Sequence, residues 1–327
     1  MVVPSSCLII GLGQIGMGYD LELDPEKFIH THARAFSSHP AFKLVGAVDP
    51  AAEKRFLFEK YYQCTGYDSL DNALKETKPQ IIVISTPTAR HAQIIENILE
   101  VSTPEVIVCE KPLAYTLDDA CKIVQLCTGR TVALYVNYIR RSDPGVIEIK
   151  ERIDSGKITT PIKGVVWYSK GFLHNGSHFF NLLEYWLGPF HDAILLDKGR
   201  SINDFDSEPH VQVTFANGTV DFIPAWEEHF PYYTVEVLSP GGRLYWGQGN
   251  HMTWQAAEPQ TGQDRQKSLA AKGEQISTDM TRYQWNVADQ LAKVLSGEAG
   301  SICSGTEALG TLRAMHQILE QGVYELQ

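Results

Sequence analysis

A short apolar run near the start of the chain leads directly into three closely spaced glycines, and this stretch constrains the fold most. Residues 6–10 (Ser-Cys-Leu-Ile-Ile) predict a buried strand, and residues 11–16 (Gly-Leu-Gly-Gln-Ile-Gly) follow it. A strand that runs through Gly-x-Gly-x-x-Gly into a helix start is typical of a turn that binds a dinucleotide pyrophosphate. Gly11 would allow the tight turn, Gly13 the close approach of the phosphates, and Gly16 the packing of the helix on the strand. The predicted contacts are Gly11, Gly13, Gln14, Ile15 and Gly16; a glycine-rich turn without a ligand is the alternative.

A second predicted strand, residues 42–48, ends in Asp49. In this kind of fold, an acid at the end of the second strand accepts hydrogen bonds from the adenosine ribose hydroxyls, and it would repel a 2′-phosphate. Asp49 therefore favours NAD over NADP, although a simple turn at Asp49-Pro50 is the alternative. The acid lies further than the usual ~20 residues from the glycines. Residues 17–29, with acidic side chains and Pro25, predict an insertion that either covers the site or is a solvated excursion.

Helical and apolar segments then alternate along the first half. The helix resumes near residues 30–36, further helices are predicted over 51–62, 69–76, 91–101 and 116–129, and strands over 64–67, 80–85, 105–109 and 131–136. Such alternation indicates an α/β fold with a Rossmann-like, doubly wound parallel sheet, and ligands bind at the carboxyl ends of its strands. We expect a nucleotide-binding domain over residues 1–128 and a substrate-binding and oligomerisation domain over 129–327, with part of the chain returning to the first.

The second half predicts an α+β domain with a large, mainly antiparallel, open-faced sheet. Asn217-Gly218 between two alternating runs is a strong hairpin signal, and a second hairpin is predicted around residues 240–242. Other predicted elements are a helix over 144–156, a strand over 163–169, a helix capped by Ser177 and ended by Gly188, a long loop over 247–277, a helix over 279–295, and a final helix opened by Ser304 and Glu307.

Composition narrows the function classes. The net charge of -11 argues against non-specific nucleic-acid binding. No apolar run approaches the length of a membrane span, and the first residues lack the pattern of a signal peptide. The six cysteines show no metal-type spacing, which is typical of reduced thiols in the cytoplasm. We therefore expect a cytoplasmic protein with a small-molecule partner and neither nucleic acid nor membrane.

Several of these motifs together resemble the glucose–fructose oxidoreductase / inositol dehydrogenase / MocA family. The resemblance rests on the glycine stretch, Val48-Asp49, Ser85-Thr86-Pro87 with His91, Arg141-Ser142-Asp143-Pro144 and, above all, Glu110-Lys111-Pro112. It is dense in the first half of the chain and thin in the second. It implies an NAD(P)-dependent oxidoreductase whose cofactor is also bound by Thr86, Pro87, His91, Glu110 and Lys111.

Lys111 is the first candidate catalytic residue. A lysine at a strand end beside the nicotinamide can donate a hydrogen bond to a substrate hydroxyl, and its charge stabilises the alkoxide character that develops as hydride leaves. The resemblance implies that Glu110 helps hold both the nicotinamide ribose and this lysine. A surface lysine in a strand-to-helix loop is the alternative.

His178 is the second candidate. Residues 170–188 resemble the family's Asp-x-x-x-His-x-x-Asp stretch, in which the histidine is the proton acceptor or its close partner, and an imidazole titrates near neutrality. His174 and Asn181 stand where the family commonly has aspartates. His174 would bind substrate, share the proton or lower the pKa of His178. A His174–His178 metal pair lacks a third ligand, so no metal is expected; an ordinary helix-start histidine is the other alternative.

These motifs lead to one functional hypothesis. We expect hydride transfer between nicotinamide C4 and a sugar, sugar-nucleotide or cyclitol hydroxyl, in a homodimer or homotetramer; a sugar nucleotide would fit surface-glycan biosynthesis. The expected substrate-binding residues are Lys111, Asn137, Arg141, His174, Asn175, His178 and Asn181. The alternatives are a dinucleotide-binding regulator without catalysis and a reductase of a non-sugar carbonyl or imine.

Overall fold

The computed structural model describes residues 3–259 and 267–323. The first run of elements is β1 (Ser5–Ile10), α1 (His32–Ser38), β2 (Phe42–Val48), α2 (Ala52–Tyr62), β3 (Gly66–Tyr67), α3 (Leu70–Thr77), β4 (Ile81–Ile84), α4 (His91–Val101), β5 (Val106–Cys109), α5 (Leu117–Gly129) and β6 (Ala133–Val136). The second is α6 (Pro144–Asp154), β7 (Ile162–Tyr168), a π-helical turn (Gly171–Gly176), α7 (Ser177–Leu187), β8 (Phe190–Asp197), β9 (Ser201–Asn203), β10 (Asp206–Ser207), β11 (His210–Phe215), β12 (Gly218–Pro224), β13 (Thr234–Ser239), β14 (Gly242–Trp246), β15 (Met252–Pro259), β16 (Lys267–Leu269) and β17 (Glu274–Ile276). The last is α8 (Tyr283–Leu295), β18 (Cys303–Ser304) and α9 (Gly305–Leu319).

The chain divides into two compact units. The first contains residues 1–142 and 281–309, and the second contains residues 143–280 and 310–327. The expected boundary after residue 128 needs correction, because β6 pairs in parallel with β5 and so belongs to the first sheet. The segment that returns to the first unit includes α8 and β18, and β18 pairs antiparallel with β6.

The sheet of the first unit is the predicted Rossmann-like one. Its strand order is β18-β6-β5-β4-β1-β2-β3, and all pairs except β18 with β6 are parallel. Strands β4 and β5 are buried along their whole length, as expected for a parallel sheet that is covered on both faces. The predicted caps form: the side chains of Ser69 and Thr116 accept backbone N–H groups at the starts of α3 and α5.

The insertion after the glycines is folded against the first unit. Asp20 is fully buried, and its carboxylate accepts the backbone N–H groups of His30 and Thr31. Arg34 donates to the carbonyl oxygens of Leu23 and Phe28. These contacts fasten the insertion at Asp20 and Arg34, whereas residues 22–27 between them are exposed, so that part of the insertion extends into solvent.

The second unit contains the predicted large antiparallel sheet. Its strands run in the order β16-β15-β14-β13-β7-β12-β11-β8, with β17 beside β15, and β7 with β12 is the parallel pair among them. The Asn217-Gly218 turn joins β11 to β12 as predicted. The prediction of a long loop over residues 247–277 is wrong, because β15 to β17 lie there. Met252 and Trp254 are buried while Thr253 and Gln255 are half-buried, an alternation that marks a strand.

Candidate functional site

The glycine turn follows β1, and its three glycines meet different surroundings. Gly11 has φ +98°, and a Cβ there would lie 2.8 Å from the carbonyl oxygen of Ser85. A Cβ on Gly16 would lie 2.2 Å from the carbonyl oxygen of Gly11. A Cβ on Gly13 would meet nothing within 4 Å. The fold itself therefore requires Gly11 and Gly16, whereas Gly13 borders open space. An open backbone at this position fits the approach of a dinucleotide pyrophosphate.

Two neighbours of the turn complete its local structure. Gln14 is exposed and Ile15 is half-buried. A Cβ on Gly18 would lie 2.6 Å from Gln14 Oε1, so the glycine leaves room for that amide.

Asp49 stands at the end of β2 and is 5% exposed. Its Oδ2 atom accepts the N–H of Leu12 at 2.8 Å, and its Oδ1 atom accepts the N–H of Ala51 at 2.9 Å. The carboxylate thus joins the glycine turn to the strand end where a ribose is expected. The Lys54 ammonium lies 3.7 Å from Oδ2, and Oδ1 keeps a second acceptor position that is compatible with the predicted ribose contact.

Thr86, Pro87 and His91 occupy the loop after β4 and the start of α4. The ring of His91 is fully buried, with Nε2 3.0 Å from the Thr86 carbonyl oxygen and Nδ1 3.1 Å from the Leu113 carbonyl oxygen. Burial lowers the pKa of this imidazole, which favours the neutral ring. A neutral ring has one N–H and donates to only one of these two carbonyl oxygens. His91 lies between the Thr86 loop and the loop after Lys111, so its predicted cofactor role would be exerted through those loops.

Glu110, at the end of β5, is the centre of a buried polar network. Its Oε1 atom lies 2.8 Å from His32 Nε2 and accepts a hydrogen bond from Asn137 Nδ2 at 2.6 Å. Asn137 Nδ2 also lies 3.3 Å from Oε1 of Gln284. These residues come from α1, β5, the loop after β6, and α8. Four separate segments of the first unit therefore meet at one carboxylate, which precedes Lys111 in the chain.

The network holds Glu110 in its ionised form. Burial alone raises the pKa of the carboxyl, but the hydrogen bonds from His32 and Asn137 and the charge of Lys111 outweigh burial and lower it. Because an ionised carboxylate only accepts hydrogen bonds, the facing Nε2 atom of His32 carries a proton.

Three buried polar atoms of the same cluster have no hydrogen-bond partner among the described residues: His32 Nδ1, Asn137 Oδ1 and Gln284 Nε2. Such atoms cost about 1–3 kcal/mol each, and strain of this kind is typical of functional sites.

Two further predicted residues of the first unit follow members of this network in the chain: Lys111 comes directly after Glu110, and Arg141 comes shortly after Asn137. Lys111 is half-buried and forms a cis peptide bond with Pro112. Arg141 is buried, and its guanidinium contacts Glu307 Oε1 at 2.5 Å. Burial raises the pKa of Glu307, but the charge and hydrogen bond of Arg141 lower it overall. An ion pair of Arg141 was not foreseen, and it ties this arginine to the start of α9.

The predicted residues of the second unit lie on one continuous helical path. His174 is exposed and Asn175 is half-buried, both in the π-helical turn, and His178 is 6% exposed in the first turn of α7. Asn175 Nδ2 donates to the Ser169 carbonyl oxygen at 2.9 Å. Asn181 Nδ2 lies 3.0 Å from Thr311 Oγ1.

The prediction that Ser177 caps this helix is wrong. Ser177 has helical backbone angles, and its hydroxyl donates to the His174 carbonyl oxygen at 3.2 Å, because helical structure begins earlier, at Gly171. The N–H groups at that earlier start are accepted by Asp206 and Glu208 instead.

Sequence reasoning missed His32, Gln284, Asp206 and Glu208. Gln284 is 147 residues from Asn137, and Asp206 is 32 residues from His174. No local pattern marks such pairs. Among the described residues, no group of three or more His, Cys, Asp or Glu side chains is arranged to hold a metal ion.

A family comparison agrees with this geometry. Residues 6–138 match the model of the Gfo/Idh/MocA oxidoreductases, described as an oxidoreductase family with an NAD-binding Rossmann fold. The recognition made from the motifs is thereby confirmed, as is the prediction of a nucleotide-binding Rossmann fold.

Individual relatives are more distant. The chain is 27% identical over 206 residues to the scyllo-inositol 2-dehydrogenase (NAD+) of Bacillus subtilis, which covers 61% of this chain and 52% of the relative. It is 28% identical over 153 residues to the uncharacterized oxidoreductase YrbE of the same organism, covering 47% of this chain and 41% of the relative. The chain thus spans about half or less of the length of these curated relatives.

A solved structure shows the same fold over nearly the whole chain. The WlbA dehydrogenase of Bordetella pertussis, in complex with NADH and UDP-GlcNAcA, is similar with a TM-score of 0.73 and 17% identity, covering 99% of both chains. The predicted combination of a Rossmann-like sheet with a mainly antiparallel second sheet is therefore confirmed. Among the described residues, no helix has the length and apolar character needed to cross a bilayer.

Proposed function

We propose that this protein is an NAD-dependent oxidoreductase that acts on CH–OH groups of a sugar-like substrate. The observation that carries the proposal is the Glu110 network: an ionised carboxylate, 13% exposed and bound by two donors, immediately precedes Lys111 at the carboxyl end of β5. In sheets of this kind, ligands bind at the carboxyl ends of the strands.

The residues present fit the cofactor. Gly13 borders open space beside the turn, and Asp49 has acceptor positions for ribose hydroxyls. Because its negative charge would repel a 2′-phosphate, NAD is favoured over NADP. Thr86, Pro87 and Glu110 would hold the nicotinamide half, with His91 supporting the loops. When bound, the cofactor supplies the hydride acceptor or donor at C4 of its nicotinamide.

Lys111 and His178 would serve one substrate hydroxyl. In the direction of oxidation, His178 accepts the hydroxyl proton as the C–H hydrogen leaves as hydride, and the Lys111 ammonium stabilises the negative charge that develops on oxygen. In the direction of reduction, the same imidazole returns the proton. Asn137, Arg141, His174, Asn175 and Asn181 are proposed to bind or orient the substrate.

A polyhydroxylated substrate is the best supported class. The relatives include a scyllo-inositol dehydrogenase, and the similar WlbA structure contains a UDP-linked sugar acid. We propose a sugar nucleotide first, which would place the reaction in surface-glycan biosynthesis, and a free sugar or cyclitol second.

The proposed assembly and location are based on exposed apolar side chains and on the state of the cysteines. The sheet of the second unit exposes Trp167, Ile194 and Leu238, and a sheet face with such side chains favours burial against another copy. We therefore propose a homodimer or homotetramer. No disulfide joins any of the six cysteines, all of which lie among the described residues, in keeping with a cytoplasmic location.

The proposal is tested by mixing the purified protein with NAD or NADP and a panel of sugar nucleotides, sugars and cyclitols while following the absorbance of the reduced cofactor. Turnover with a polyol substrate, lost in Lys111→Ala, supports it. Cofactor binding without turnover on any compound favours the non-catalytic regulator. Turnover only with non-sugar carbonyls or imines favours the other alternative.

A further inference from the structure

The turn that carries His174 begins with N–H groups that have no helical partner, and two buried acids accept them. Asp206 Oδ1 accepts the N–H of Leu173 at 2.9 Å, and Asp206 Oδ2 accepts the N–H of His174 at 2.9 Å. Glu208 Oε1 accepts the N–H of Gly171 at 3.0 Å. The first turn is thus held from outside the helix, by the strand β10 and the residue that follows it.

Gly171 and Asp206 fit each other sterically. Gly171 has φ +83°, and a Cβ there would lie 2.1 Å from Asp206 Oδ2. The carboxylate therefore occupies the space that any other residue at position 171 would fill. Asp206 is 9% exposed, so it has little room to move aside.

The anchor is itself braced. Glu208 is 1% exposed, and its Oε2 atom accepts a hydrogen bond from Arg200 Nε at 2.6 Å. The N–H of Glu208 donates to the Arg200 carbonyl oxygen at 2.9 Å. The strand pair β9–β10 therefore presents Asp206 from a fixed frame.

We propose that Asp206, seated against Gly171, is a positioning residue that sets the orientation of His178. This inference rests on the proposed function, in which His178 accepts the substrate proton. The turn continues without interruption into α7, so a shift at Leu173 and His174 is carried one turn further to His178. A π-helical segment at this place accords with the frequent use of such segments at functional sites.

Burying a carboxylate costs free energy, which argues that Asp206 does more than cap the start of the π-helical turn. Burial raises the pKa of Asp206, although four backbone N–H groups lower it in part. A neutral serine or asparagine side chain is an ordinary helix cap without that cost. Only a carboxylate offers two oxygens that accept both N–H groups in the volume left by the glycine.

The test uses five variants of the full chain: Asp206→Asn, Asp206→Ala, Gly171→Ala, the double variant Gly171→Ala/Asp206→Ala, and Asp204→Asn. Asp204 is an exposed acid on the same hairpin and serves as the matched control. Histidine labelled at Cε1 is followed by NMR during a pH titration, and His178→Asn assigns the His178 resonance. This readout needs neither substrate nor turnover.

For Asp206→Asn we expect the pKa of His178 to change by at least about half a unit, because the ring meets new surroundings. With the substrate identified, kcat falls at least about tenfold while the Kd of NADH stays within about twofold, because the cofactor residues belong to the first unit. Asp204→Asn changes none of these quantities.

A double-mutant cycle of Gly171→Ala and Asp206→Ala tests whether Gly171 and Asp206 fit each other sterically. Truncating Asp206 should cost less in the Gly171→Ala background than in the wild type, because it also removes the clash. Equal costs in both backgrounds would overturn the pairing. Loss of thermal stability with an unchanged His178 titration would reduce Asp206 to a structural cap. If His178 titrates as expected but no substrate turns over, the proposed function fails and the positioning stands.

Discussion

The two units hold their key carboxylates by different donors. Glu110 in the first unit is bound by the side chains of His32 and Asn137, and its pKa is lowered. Asp206 in the second unit is bound by backbone N–H groups, and its pKa is raised. Donors that carry charge or lie beside it offset the loss of hydration, whereas neutral backbone groups offset only part of it. The ionised form is therefore favoured for the carboxylate beside Lys111, and the role proposed for Asp206 rests on its fit against Gly171.

Gly13 and Gly171 also differ between the two units, in what surrounds the position of a Cβ atom. Gly13 in the first unit borders open space, whereas the space beside Gly171 in the second unit is filled by Asp206. The first glycine leaves room for a ligand and the second leaves room for the protein itself. A substitution at Gly13 should therefore change cofactor affinity, whereas a substitution at Gly171 should change the packing of the protein.

The largest effect is expected for Glu110→Gln. The amide removes the charge beside Lys111, while its oxygen can still accept from His32 and Asn137, because both donors contact the same atom, Oε1. We expect kcat to fall about 10²-fold, the size of one lost preorganised electrostatic contact. Steady-state kinetics and the Kd of NADH measure the change, and Glu100→Gln, an exposed acid, is the control. Equal kinetics in the two variants would contradict a special role for the network.

Asp143 extends the comparison to stability. Backbone N–H groups of Gly145 and Asp279 hold this carboxylate, yet burial raises its pKa to about 6. In the unfolded chain it ionises near pH ~4, so between about pH 4 and pH 6 the unfolded state binds fewer protons and stability falls as pH rises.

The stability difference between wild type and Asp143→Asn should therefore be larger at about pH 4.5 than at about pH 7, by about 2 kcal/mol. Denaturant unfolding at both pH values measures it. Glu307, whose pKa is lowered by Arg141 despite burial, is the opposite case: the wild-type advantage over Glu307→Gln should be larger at neutral pH and lost in acid. If the stability difference changed with pH in the same direction for both residues, the comparison would be wrong.

His32 sharpens the account of Glu110. Replacement by Phe removes one of the two donors to Glu110 Oε1, and we expect the free energy of unfolding to fall by about 1.5–3 kcal/mol, the contribution of a hydrogen bond to a charged group. His32→Gln keeps an N–H donor and should recover part of that loss. Denaturant unfolding of both variants measures the difference, and a Phe variant as stable as the Gln variant would show that the hydrogen bond does not matter.

The smallest expected effect is in Gly13→Ala. A Cβ there meets no protein atom within 4 Å, so the melting temperature should stay unchanged. The same methyl group stands where the pyrophosphate is expected, so the Kd of NADH should rise about tenfold, or about 1.4 kcal/mol. Gly16→Ala, whose Cβ would clash with the Gly11 carbonyl oxygen, should instead destabilise the fold. Unchanged NADH affinity in Gly13→Ala would move the cofactor away from this turn.

Most of the first unit could be predicted because its signals are local. Buried parallel strands form apolar runs, and Ser69, Thr116 and Gly129 mark helix ends within a few residues. The second unit was harder. The strands after residue 247 are separated by polar segments, and the start of the π-helical turn depends on Asp206, which lies more than thirty residues away. The candidate site also divides into local and distant signals. Its motif residues could be predicted from the sequence, but their distant partners His32, Gln284 and Asp206 could not.

We propose that Lys111 and His178 act on one substrate hydroxyl, and a double-mutant cycle on kcat tests this proposal most directly. Wild type, Lys111→Ala, His178→Asn and the double variant are compared on the substrate found in the panel. Each single change should lower kcat at least about 10²-fold, and the double variant should be no worse than about tenfold below the poorer single variant, because groups that serve one step are not additive. Losses that multiply in full, or turnover untouched by either change, would contradict the account.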